Sequence, residues 1–401
     1  MEERDILSIN YKQKKKILAD MMKKRRRRRN RKSHRLIFLY IFILLIILLL
    51  LITILFLFPE KNRLDKKIFV YNKDNKEIDI NKDIYAKISK KSFQYKIDEF
   101  EYENLEEIHI SYSLDNNLIY PTLVSMASGL ENNNNNKNII VYHLLFSHDF
   151  DTSKVEIFES LRKNYTVKIN YYVIPPFFKH LNPWTAGTDC VYYKIILPIM
   201  FPDYKRIIYL DGDTLIRKDI SEMFNLPFNG NYILGFPFYM GQVMDEFGIN
   251  ATHYINGGCL LFNIDKIRKD KKDDDLLQFT IKNNSVLRFR EQDAINFVFY
   301  PKIGFLPLKY GIYMIGSKRK FKSLSRYTRS PLNLTEGYEA VKDPSIVHFS
   351  CCWPKVWTEG SKNLFKDHDI CLRYKKEFYY YANKTQYYSN IYKLLIHQKY
   401  L

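Results

Sequence analysis

Leu36 to Phe58 is 23 consecutive residues without a charged side chain, almost all Leu, Ile and Phe. As a helix it measures about 35 Å, against about 30 Å of bilayer hydrocarbon. Core helices of soluble proteins keep a polar stripe, which this run lacks. A cleaved signal peptide has a shorter apolar region and small residues at the cut, whereas Phe58-Pro59-Glu60 follows here. The run therefore predicts a transmembrane helix over 36–58. Residues 1–35 hold 15 of the 63 Lys and Arg but only four of the 44 acidic residues, among them the block Arg25 to Arg29. The more basic flank stays cytosolic, so the expectation is a type II single-pass protein of the Golgi or another secretory membrane. Five Asn-x-Ser/Thr sequons, at Asn164, Asn250, Asn283, Asn333 and Asn383, follow the run.

The net charge of +19 is thus mainly a property of that tail, and a basic flank beside a span suffices to explain it without nucleic acid. With 46% hydrophobic residues, 32 Tyr and 28 Phe, the chain is not disordered, and five Cys in 401 residues exclude a disulfide mini-scaffold. An odd number of cysteines leaves at least one thiol unpaired in a monomer. Cys351 or Cys352 with Cys371 is a possible pair, and Cys259 reads as a small core residue. Residues 59–106 are charged and free of glycine and read as a stem. The Tyr-rich end, 363–401, reads as a helical extension.

From Glu107 to Lys362 apolar strand signals alternate with helix signals. Ile108 to Tyr112, Asn138 to Phe146, Thr166 to Ile174 and Arg206 to Leu210 read as strands. Leu123, Met126, Ala127 and Leu130 form a helix stripe, and Glu156 to Leu161 and Cys190 to Leu197 are helical in type. Continuous apolar strands between helices predict an α/β fold, a Rossmann-like and mostly parallel central sheet with helices on both faces. Ligands of such sheets bind beyond the carboxyl ends of the strands. Two strand ends stand out there. Ser113-Leu114-Asp115-Asn116-Asn117 follows the first strand, where a nucleotide would sit, although Asp-Asn-Asn also reads as a helix cap. Tyr209-Leu210-Asp211-Gly212-Asp213 ends a buried strand with two carboxylates one residue apart. Their repulsion calls for a cation, and hard oxygen ligands suit Mn²⁺ or Mg²⁺ completed by phosphate oxygens.

These two stretches are joined, in order, by Tyr192-Tyr193-Lys194, by Tyr254 to Asn263, by Glu291-Gln292-Asp293-Ala294-Ile295-Asn296 and by His348 to Trp357. Together they resemble the family-8 glycosyltransferases, which include glycogenin and bacterial lipopolysaccharide galactosyl- and glucosyltransferases. The resemblance spans Glu107 to Lys362 and implies a GT-A-type fold. It implies transfer of a hexose, of the glucose or galactose class, from a UDP-sugar to a glycan, glycoprotein or glycolipid hydroxyl. The anomeric configuration would be retained, with a diphosphate oxygen accepting the proton. Asp211, Asp213 and His348 would bind Mn²⁺. Asp115 and Asn117 would contact uridine, and Ser113 would line the same pocket. Lys194 and Lys355 would be cations on the donor, Lys355 at the leaving phosphate. Asn256, Gly257 and Gly258 would bring backbone to the sugar, Gln292 would lie near the anomeric carbon, and Asp293 would hold sugar hydroxyls. The chain departs from the family where Lys194 replaces the usual Arg, where Glu291 replaces Asp, and in Cys351-Cys352-Trp353-Pro354 ahead of Lys355. Phe236 to Phe247 and Leu308 to Lys322 are expected to shape the pocket. Two rival readings are a catalytically inactive lectin or scaffold on the same fold, and a haloacid dehalogenase-type phosphohydrolase. The latter places a residue between the second Asp and Thr, whereas here Thr214 follows Asp213 directly.

Overall fold

The computed structural model describes residues 80–89, 93–102, 104–133, 137–181, 188–238, 253–313, 332–350, 352, 355–358 and 369–397. The chain divides at Tyr71, and all described residues belong to the unit Asn72–Leu401. In chain order its main elements are α1 (Ile80–Ser89), β1 (Gln94–Lys96), β2 (Glu106–Leu114), α2 (Ile119–Asn132), β3 (Asn138–Phe146), β4 (Lys168–Val173), β5 (Arg206–Leu210), β6 (Thr214–Ile216), β7 (Ile233–Pro237) and β8 (Ile255–Asn263). Then come α3 (Lys272–Asn283), α4 (Glu291–Phe299), β9 (Ile303–Phe305), β10 (Tyr310–Ile312), α5 (Leu334–Lys342), β11 (Ile346–His348), α6 (Asp369–Asn383) and α7 (Tyr388–His397).

Eight strands form one sheet in the order β1-β4-β3-β2-β5-β8-β7-β9. Six of them run one way, while β1 and β8 are reversed. Side chains alternate across a strand, and the core divides accordingly. Ile108, Ile110, Tyr112 and Leu114 of β2, with Ile208 and Leu210 of β5, pack under the α2 stripe of Leu123, Met126, Ala127 and Leu130. Ile207 and Tyr209 of β5, with Leu260 and Phe262 of β8, face Leu276 and Leu277 of α3 and Ala294, Ile295 and Phe299 of α4. Burying each such side chain contributes roughly 1.5–3 kcal/mol. Ile84 and Ile88 of α1 and Phe93 join the second of these cores, so the end of the stretch read as a stem packs into the fold.

A smaller sheet, β10-β11-β6, carries the third core, in which Leu215, Val347 and Phe349 meet Tyr374, Phe378, Tyr381 and Ile391 of the two C-terminal helices. Cys352 and Cys371 form a disulfide, and Cys190 and Cys259 are buried free thiols.

The membrane placement expected from the sequence is corrected. Among the described residues no helix is long and apolar enough to cross a membrane. The longest of them, α6, has 15 residues and reaches only about 22 Å. The basic tail, the run Leu36–Phe58 and the first part of the stem lie outside the described residues. So do Asn250, Cys351, Trp353, Pro354 and most of the two pocket-shaping segments, 239–247 and 314–322.

Candidate active site

The Asp-x-Asp stretch is the crossing between the two sheets. Strand β5 ends at Leu210 in the large sheet, and β6 begins at Thr214 in the small one. Strand register then decides what faces the two carboxylates. Pairing of β5 with β8 sets Leu210 opposite Cys259, and the Asp211 amide donates to the Gly258 carbonyl at 2.9 Å. Pairing of β6 with β11 sets His348 opposite Thr214, and the Phe349 amide donates to the Asp213 carbonyl at 2.9 Å.

The result is a cluster with a buried His348 and a partly exposed Asp211. His348 Nε2 lies 3.1 Å from Asp213 Oδ1 and 3.4 Å from Asp211 Oδ2. Each of the three side chains offers a ligand atom within 4.8 Å of the others, the one such group among the described residues. Neither ring nitrogen of His348 has a hydrogen bond of good geometry, although the ring is 2% exposed. A side chain on Gly258 would collide with the His348 ring and come within 2.5 Å of Asp211 Oδ2. Two carboxylate oxygens and an imidazole nitrogen aimed at one point, under a backbone that admits no Cβ, fit a divalent cation such as Mn²⁺.

Basic groups hold the cluster from both sides. Lys355 Nζ donates to Asp213 Oδ2 at 2.6 Å and to the Phe349 carbonyl at 3.0 Å. Lys194, 2% exposed on a 3₁₀ helix Asp189–Ile196, donates to the Gly257 carbonyl at 3.0 Å and lies 3.4 Å from both Asp211 Oδ1 and Glu291 Oε1. It also sits 4.7 Å above the Tyr209 ring, whose hydroxyl donates to Asp211 Oδ1 at 3.0 Å. Burial opposes charge at Asp211, Asp213, His348, Lys194 and Glu291, so the partners decide the outcome. Lys194 outweighs burial at Asp211, and Lys355 and His348 do so at Asp213, holding both carboxyls below their usual range. Asp213 and Asp211 overcome burial at His348 and raise it to about 9. Asp211 and Glu291 likewise raise Lys194. At Glu291 burial wins over Lys194 and pushes the carboxyl up to about 7.

The remaining expected residues lie on two rims. On one, Gln292 Oε1 accepts the Gly257 amide at 2.8 Å, and its Nε2 donates to the Tyr254 hydroxyl at 3.2 Å. Asn256 Oδ1 accepts the Gly258 amide at 2.9 Å. Asp293 is fully buried and accepts from the Tyr254 hydroxyl and from the Phe289 amide. On the other, Ser113 is buried near the end of β2, and Asp115 accepts the Asn117 amide at 2.9 Å and its side-chain amide at 3.3 Å. Asp115 does not cap α2, whose first turn has no side-chain cap.

Three side chains that support the site carried no assigned role in the sequence reading. Tyr209 reads there as a strand residue and Tyr254 as the start of the motif that runs to Asn263, and their position two residues before Asp211 and Asn256 was the available signal. Asn296, four residues after Gln292, ties α4 to β8 by accepting the Ile255 amide at 2.8 Å and donating to the Ile255 carbonyl at 2.9 Å.

Comparison with known proteins agrees with this geometry. General stress protein A of Bacillus subtilis is 25% identical over 223 residues, 52% of this chain and 70% of that protein. A lipopolysaccharide 1,2-glucosyltransferase of Escherichia coli is 24% identical over 238 residues, 56% of this chain and 68% of that one. Among solved structures, the galactosyltransferase LgtC with donor and acceptor sugar analogs superposes with a TM-score of 0.54 at 16% identity, covering 70% of this chain and 96% of that chain. The bifunctional glycosyltransferase WbbM gives 0.59 at 17% identity, covering 74% of this chain and 53% of that one. The shared fold is the GT-A-like α/β architecture expected from the sequence. Residues 109–360 match Glycosyl transferase family 8, and with well over half of its length inside that match the chain belongs to this family and is a retaining glycosyltransferase.

Proposed function

We propose that the protein transfers a hexose, of the glucose or galactose class, from a UDP-sugar to a hydroxyl of a glycan, glycoprotein or glycolipid, with Mn²⁺ or Mg²⁺ as cofactor. The observation that carries this reading is the convergence of Asp211, Asp213 and His348 on one point with Lys355 beside them. The name of the E. coli relative, a glucosyltransferase, supports the hexose.

Asp211, Asp213 and His348 would hold the cation. When bound, it would neutralise charge on the diphosphate and so make UDP a better leaving group. Lys355, drawn in by Asp213, would donate to a leaving phosphate oxygen and stabilise the charge that develops there. Asp115 and Asn117, at the carboxyl end of β2, would take uridine, with Ser113 beneath them. Lys194 is a point charge rather than a planar fork and would act on the donor side through Asp211 and the Gly257 carbonyl. Gly257 and Gly258 would present backbone to the sugar, with Asn256 holding the Gly258 amide in place. Gln292, an amide and a poor nucleophile, would support the sugar near its anomeric carbon while the acceptor hydroxyl attacks from the face that UDP leaves. Asp293 is engaged by Tyr254 and Phe289 and closed from solvent, so we assign it the positioning of Gln292 and Tyr254.

The test is UDP release from a panel of UDP-sugars with Mn²⁺ and with a chelator. Release from one donor is expected, dependent on the cation and reduced on the order of a hundredfold or more in Asp213→Ala. Folded protein that neither releases nor binds UDP would sink the reading and favour a lectin or scaffold.

A further inference from the structure

Helix α6 begins after residue 360, where the family match ends. It nevertheless contacts both chain segments that lead away from the acid–histidine cluster. One is Arg217, directly after β6. Its Nε and Nη2 donate to Glu377 at 2.6 and 3.2 Å, and its guanidinium lies 4.7 Å from the Tyr374 ring. The other is the stretch after His348, which carries Lys355. Cys352 is bonded to Cys371, with their Cα atoms 6.0 Å apart. Trp357 stacks on Phe378 at 5.6 Å, Phe349 meets the same ring edge-on at 6.1 Å, and the Tyr379 hydroxyl donates to the Val356 carbonyl at 3.3 Å.

Residues 349–358 contain no strand or helix among those described. Among the described residues, the backbone bonds within this segment run from Cys352 to Phe349 and from Thr358 to Lys355, and its first residue, Phe349, is tied to the Asp213 carbonyl. A lysine ammonium ends a chain of four rotatable bonds, so its place depends on how firmly its backbone is held. Here the firm contacts come from α6, and they flank Lys355 on both sides, at Cys352 and at Val356–Trp357. The metal-ligating side chains differ in this respect, because the β5–β8 and β6–β11 registers hold them directly.

We propose that α6 is a positioning element for catalysis: through the Cys352–Cys371 bond and the Tyr379 hydroxyl it fixes the 349–358 segment so that the Lys355 ammonium meets the leaving diphosphate. This rests on the role given to Lys355 above. The disulfide, across a sequence separation of 19, limits how far the segment can stray. A displaced ammonium loses its oriented contact with the phosphate.

The experiment uses the full chain with UDP as the probe and Mn²⁺ at saturation. The double variant Cys352→Ser/Cys371→Ser and the milder Tyr379→Phe are each made in wild-type and Lys355→Ala backgrounds. UDP affinity is read by calorimetry and the order of residues 349–358 by hydrogen exchange. In the wild-type background the double variant should bind UDP on the order of tenfold more weakly, with faster exchange confined to 349–358. Tyr379→Phe should do the same to a smaller extent, which keeps the test open if the double variant does not fold. In the Lys355→Ala background neither change should weaken UDP further, an outcome that a merely stabilising helix would not produce. Unchanged UDP affinity, or an equal loss with and without Lys355, overturns the proposal. Failure of the unmodified protein to bind UDP would instead overturn the reading of the site on which it rests.

Discussion

Gly257 and Gly258 are neighbours of one residue type, yet only one of them has its Cβ position occupied. At Gly258 that position is taken by the His348 ring and Asp211 Oδ2, whereas at Gly257 the nearest atoms are 3.5 Å away, on Gln292 and Lys194. Gly258→Ala should therefore push the His348 ring and the Asp211 carboxylate apart and cost about 1–3 kcal/mol by overpacking. Gly257→Ala should be tolerated within about 1 kcal/mol. Urea denaturation and Mn²⁺ binding of the two variants, side by side, check this. Glu291 gives a second residue-scale prediction. Its carboxyl titrates at about 7 in the fold against an ordinary 4.5. A raised carboxyl stabilises the fold fully below the ordinary value, and that contribution is lost as pH rises through the folded value. Glu291→Gln should remove this loss. Relative to wild type it should gain up to about 3 kcal/mol between pH 4.5 and pH 8 in metal-free protein. Equal pH slopes in the two proteins would refute the assignment. The residue types at both places were plain in the sequence. That Gly258 rather than Gly257 is the obligatory glycine was not, because the obstructing ring comes from β11.

At the scale of elements, β8 and α4 pack together beside the acid–histidine cluster, and Asn296 joins them. It is fully buried and makes three hydrogen bonds, to both the amide and the carbonyl of Ile255 and to the Gln292 carbonyl. Asn296→Ala would leave the Ile255 groups unpaired inside the protein, at a cost of about 2–4 kcal/mol. The chemical denaturation midpoint should fall accordingly, and the KM for donor should rise as Gln292 loses its register with Gly257. Elements of this kind were unevenly legible. Asn138 to Phe146 and Arg206 to Leu210 are strands with the bounds the sequence predicts, because a strand buried on both faces is apolar along most of its length. The direction of β8 was not legible. An apolar run signals burial but carries no sign, and β8 runs against both of its neighbours. The stretch around Lys194 read as helical and is a 3₁₀ helix, a distinction that a short apolar pattern does not make.

Over the whole molecule, residue order and chemistry determined the class of fold, the family and the identity of the candidate ligands. They did so because apolar periodicity dictates which faces must be buried, and because paired carboxylates at a strand end require a partner. From the hydropathy of the amino-terminal run the same logic pointed to a Golgi membrane, a placement that the described helices do not uphold, since none of them is long and apolar enough to cross a membrane. What tertiary structure alone decided is which distant groups meet. Lys355 reaches an aspartate 142 positions away because β6 pairs with β11, and α6 comes to stand behind Lys355 because Cys371 and Phe378 bury against Cys352 and Trp357. Pattern along a chain specifies local geometry and burial. The pairing of strands and the packing of a late helix depend on the free energy of the complete core, to which every element contributes, and no single segment encodes them.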